Sequence, residues 1–62
     1  MKKKEFLNKQ QGIILYQIAK RRFQLIDPTN KNTTFVTVLP TDNNEEVFNK
    51  INIEREKLLS ER

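Results

Sequence analysis

Cysteine and histidine are absent from this chain of 62 residues, and glycine occurs once. Without cysteine no disulfide can staple the fold. Without either residue the usual zinc ligands are gone, and so are the commonest general base and the most reactive nucleophile. One glycine leaves no glycine-rich loop to cradle a phosphate. Serine occurs only as Ser60, with no base near it in sequence. Glu45 and Glu46 adjoin, and adjacent helical side chains diverge, so they do not read as a metal pair. No apolar run approaches the roughly 18 residues that span a bilayer. The basic start Met1-Lys2-Lys3-Lys4 is followed by only a short apolar stretch, Gly12 to Ala19, interrupted by Tyr16 and Gln17. A secretory signal is therefore not expected. These absences lead to the expectation of a cytoplasmic protein that is not an enzyme and holds no metal or cofactor.

A chain this short makes one domain and buries only about 60% of its unfolded surface. Added burial from a second copy or a bound partner is expected, and a homo-oligomer is the favoured state.

Charge is unevenly placed. Residues 1–22 carry seven basic residues against Glu5 alone, a net of +6, whereas residues 23–62 carry five against seven, a net of −2. Such a chain suits an anionic partner met through its N-terminal part. A solubilising tail with one basic turn would give the same count.

The C-terminal third reads as a helix over about 43–60. Pro40 ends what precedes it, and Asp42 stands three residues before Glu45 in a capping-box spacing. At about 100° per residue, Val47, Phe48, Ile51, Leu58 and Leu59 share one side. Glu45 and Glu46 suit the first turn and Lys57 and Arg62 the end, by the helix dipole. Glu46 and Lys50 have the favourable i, i+4 order. Ile53 falls on the opposite side, either as an ordinary exposed residue or as a second contact.

The middle reads as a β-hairpin. Phe23–Ile26 and Thr33–Leu39 are rich in β-branched and aromatic residues. Asp27-Pro28 suits a turn, and a loop of Pro28 to Lys31 pairs Asp27 with Asn32. Phe23 and Leu25 then share a face with Thr34, Val36 and Val38. Lys20, Arg22, Gln24, Ile26, Thr33, Phe35, Thr37 and Leu39 share the other. A slip of one residue would exchange the faces. Residues 3–19 are ambiguous. As a strand, Ile13–Ile18 completes a three-stranded sheet over residues 12–39 through a turn at Ala19-Lys20-Arg21. As a helix it would carry Gly12 at a cost of about 1 kcal/mol. The strand is preferred, with residues 1–9 as a basic arm. The expected class is α+β: two or three antiparallel strands packed by one C-terminal helix.

Lys20-Arg21-Arg22, followed by Phe23-Gln24, carries the functional promise. Alternate strand residues face opposite ways, so Lys20, Arg22 and Gln24 project together with Thr33 and Thr37. Lysine and arginine neutralise phosphates, and arginine and glutamine also read base edges. Lys2, Lys3, Lys4 and Lys9 would follow the backbone as an arm. A solvated basic turn is the plain alternative.

From Lys20 to Lys31, basic residues lead into a strand and then an Asp-Pro turn. That order, with Thr41-Asp42 opening an acidic helix, resembles the small N-terminal DNA-binding domain of phage-type tyrosine recombinases. The likeness covers about residues 12–60. It implies DNA contacts from Lys20, Arg22, Gln24 and Thr37, in a stand-alone binder or a fragment. That family usually has glycine in the turn, where this chain has Asn30.

Two functions stand side by side. One is a small DNA-binding accessory or regulatory protein acting through Lys20, Arg21, Arg22, Gln24, Thr37 and the arm lysines. The other is a protein-binding inhibitor or adaptor for a host protein, in which Tyr16, Phe35 and Ile53 meet the partner or a second copy. A third, attachment to a membrane surface, needs residues 3–22 to be helical.

Overall fold

The structure, a computed structural model, describes residues 4–62. Four antiparallel strands follow one another as a meander: β1 (Glu5–Gln10), β2 (Ile13–Ala19), β3 (Arg22–Asp27) and β4 (Asn32–Thr37). One helix, α1 (Asn44–Ser60), closes the chain and packs on β4 and β3. The class is α+β, with four strands where two or three were expected.

The added strand is β1, formed in part by residues assigned to a basic arm. Its turn was the missed signal. Gln11 and Gly12 have φ of 54° and 81°, and Gln10 pairs with Ile13. A two-residue loop with both φ positive matches the twist of the strands it joins, and glycine adopts that conformation without steric cost. Five of the six residues of β1 are exposed, so no buried apolar face announces the strand. A bulge at Leu7 shifts its register between Phe6 and Asn8.

The second hairpin turns at Lys20-Arg21, with Ala19 opposite Arg22. The third has the expected register, Asp27 opposite Asn32 and Phe23 opposite Val36. Lys31 takes the left-handed φ of 62° that closes this loop.

The core lies between sheet and helix. Ile13, Leu15, Phe23, Leu25, Val36 and Val38 meet Ile51 and Leu58, with Val47 and Leu59 packed beside them. Ile13 and Leu25 are wholly buried, each worth about 1.5–3 kcal/mol against exposure. Phe48, expected in this stripe, is 63% exposed. The helix lies over β3 and β4, and the side bearing Phe48 overhangs toward β1 across a pocket rather than packing on the sheet. Arg55 fills the vacated sector and is buried instead.

The helix begins one residue later than expected. Asn43, not Asp42, is the N-cap, and its side chain accepts from Glu46 N–H at 2.8 Å. Asp42 instead accepts from Leu39 N–H and from Lys50 Nζ, which replaces the expected Glu46–Lys50 pair. The hydrogen bond from Lys50 holds the Asp42 carboxyl down to about 2, whereas Glu46, hydrogen-bonded to Asp42, is pushed up. At the far end Arg62 leaves the helix and grips buried Asp27 through Nε and Nη2, at 2.8 and 3.0 Å. Those bonds hold Asp27 below the usual carboxylate range. Arg62 also donates to Gln11 O, so one side chain ties two turns to the helix end.

Candidate nucleic-acid interface

A single helix covers one face of the sheet and leaves the other open. Three cross-strand ladders line this open face, read from the pairings: Lys9–Ile14–Ile26–Thr33, Phe6–Tyr16–Gln24–Phe35, and Ala19–Arg22–Thr37. Residues directly opposite in a sheet share a face.

Aromatic rings dominate the middle ladder. Phe6 and Phe35 occupy its two ends, 58% and 50% exposed. They are three strand spacings apart, about 14 Å. The Phe6 and Tyr16 rings meet edge to face, with centroids 6.1 Å apart. Gln24 fills the gap between Tyr16 and Phe35, with amide donors and an acceptor.

Cations stand around these rings. Lys4 Nζ lies 5.0 Å from the Tyr16 centroid, and the Arg22 guanidinium lies 5.9 Å from that of Phe35. Each ring face attracts the cation and holds it beside an apolar surface. Lys9 begins the first ladder. Among the described residues, none of these three cations forms an ion pair; the ion pairs are Lys50–Asp42, Lys57–Glu54 and Arg62–Asp27.

The chain's eight acidic side chains are all off this face. Glu5 pairs with Gln17 and Asp27 with Asn32, both on the helix side. The other six, Asp42, Glu45, Glu46, Glu54, Glu56 and Glu61, belong to the helix and its flanks. The uneven charge along the sequence thus becomes a difference between two faces.

The expected site residues are partly brought together. Arg22, Gln24 and Thr37 are neighbours on the open face, and Arg22 meets none of the chain's carboxylates. Lys20 and Arg21 are not strand residues; they form the exposed β2–β3 turn at the Arg22 end. Lys4 precedes β1 rather than waving in an arm, and Lys2 and Lys3 lie outside the described residues. Tyr16, Phe35 and Ile53 do not make one patch. Tyr16 is central on the open face, while Ile53, on the helix, shares with Phe35 a groove of about 210 Å³ beside β4. Phe6 was not among the expected site residues, and Lys9 was expected in a basic arm rather than on the sheet, because their strand was not recognised. The Gln11-Gly12 turn next to an isolated Phe6 was the available clue.

No family model, curated protein or solved structure matches this chain. No helix among the described residues is long and apolar enough to cross a membrane.

Proposed function

We propose that this protein binds DNA through the open face of its sheet. One observation carries the reading: exposed aromatic rings are flanked by Lys4, Lys9 and Arg22 on a face without a single carboxylate. The cations meet phosphates, and phosphate contacts supply most of the affinity in such complexes. Phe6 and Phe35 offer ring faces on which bases stack, each worth about 1–3 kcal/mol. Gln24 and Arg22 supply base-edge hydrogen bonds. Stacking needs bases out of their pairs, so single strands bind more tightly than a duplex of equal length. A second copy docked by this face would set cations against cations, which favours an anionic occupant.

Amide chemical shifts followed on adding a short single strand, and separately its duplex, test this. At low salt the shifts concentrate on Phe6, Tyr16, Arg22, Gln24 and Phe35. No response to either DNA, or a response confined to α1, would refute it.

The adaptor reading keeps one specific support. Phe35 and Ile53, the latter 55% exposed, border the groove beside edge strand β4. An edge strand offers free backbone groups to an added strand, with side chains seated in the groove. A host protein retained at high salt and lost on Ile53→Glu, with the open face unaffected, would favour this function.

A further inference from the structure

Between β1 and the overhanging helix lies a pocket of about 190 Å³. It is on the helix side of the sheet, away from the proposed DNA-binding face. Asn8, Asn52 and Arg55 supply polar lining, and Leu15, Phe48 and Ile51 supply apolar lining.

Arg55 is 5% exposed. Its Nη1 donates to Asn52 Oδ1 at 2.6 Å. Among the described residues its Nε has no hydrogen-bond partner, and no carboxylate pairs with the guanidinium. Asn8 Oδ1, in the same lining, is likewise buried without a partner. A buried charge is costly unless an opposite charge and hydrogen bonds compensate it. Water could fill the hydrogen bonds but not neutralise the charge.

With Nη1 occupied, the free edge of Arg55 is Nε and Nη2. Two parallel N–H bonds from such an edge match the two oxygens of a carboxylate. The Asn8 amide, turned by half a rotation, would present its NH2 group to the same oxygens, since its oxygen and nitrogen are nearly interchangeable in shape. The apolar lining calls for a ligand with a hydrocarbon part. A cavity of about 150 Å³ accommodates benzene, so this one has room for a short branched chain. We propose that the pocket binds a small organic carboxylate, anchored by Arg55 with its apolar part against Leu15, Phe48 and Ile51.

The probes are isobutyrate, its neutral amide isobutyramide, and inorganic phosphate. The readout is the Arg55 Nε–Hε resonance, assigned by its loss in Arg55→Met. Isobutyrate shifts this resonance saturably, isobutyramide does not, and phosphate binds at least about tenfold more weakly. Isobutyrate at about 100 times its Kd raises Tm by about 20 °C in the native protein and leaves Arg55→Met unmoved. Methionine fills much of the arginine's volume, and such replacements of buried charge are often neutral or stabilising. Should that variant not fold, the acid–amide comparison in the native protein decides alone. An equal response to isobutyramide, phosphate binding as tight as isobutyrate, or no saturable shift would overturn the proposal and leave a hydrated arginine.

Discussion

Removing Arg22 and Lys9 from the open face should change how DNA binding responds to salt, by an amount set by the cation count. Three described cations border the face: Lys4, Lys9 and Arg22. Each phosphate neutralised contributes about −0.7 to the slope of log K against log salt for single strands and about −0.9 for duplex. Three contacts therefore give slopes of about −2.1 and −2.7, and a fourfold rise in salt weakens binding about 20-fold and about 40-fold. In Arg22→Gln/Lys9→Gln one of the three remains, the slope falls to between about −0.7 and −0.9, and the same rise costs only about threefold. Contacts from the β2–β3 turn would add equally to both proteins, so the difference in slope is the firmer quantity. Both side chains are exposed and neither forms an ion pair, so stability moves by about 0.5 kcal/mol at most, apart from the Arg22–Phe35 contact. Fluorescence anisotropy with a labelled oligonucleotide over a salt series reads the slope, and urea unfolding confirms the fold. A double variant with the native slope would refute phosphate contacts on this face.

The structure sets two stability expectations as well. Asp42 titrates near 2 in the folded chain against 3.8 ordinarily, so its contribution is complete above the ordinary value and fades as pH falls toward the folded one. Asp27, lowered by Arg62, acts in the same direction. The urea midpoint of the native protein should therefore drop between about pH 4 and pH 2, and Asp42→Asn should flatten that drop while lowering the midpoint at neutral pH; a native-like pH profile in the variant would contradict the assignment. Gln11 holds a left-handed φ of 54° that asparagine adopts more readily, so Gln11→Asn should stabilise the β1–β2 hairpin by about 0.5–1 kcal/mol in chemical denaturation. A loss of stability would show that the glutamine side chain matters there.

Local chemistry makes the helix and the β3–β4 hairpin legible in the sequence. Ile51 and Leu58 recur at helical spacing, and the Asp27–Lys31 segment carries its own turn residues, so period and turn chemistry agree with the final fold. Strand alternation, a local property, also placed Arg22 and Gln24 on one face, and the register set by the Asp27–Lys31 turn added Thr37 to it. β1 was hidden for the opposite reason. Its residues are polar and exposed, and their place comes from backbone pairing with β2, which any sequence can make. Three features needed the tertiary structure. Arg55 lies within the apolar sector of α1, and only the offset of the helix over β3 and β4 buries it while leaving Phe48 outside. Asp27 and Arg62 stand 35 positions apart and meet only when the helix end reaches the β3–β4 turn. The clearing of carboxylates from the open face is likewise a product of folding. Composition sets how many charges there are, but the packing of one helix on one side of a sheet decides which surface they leave.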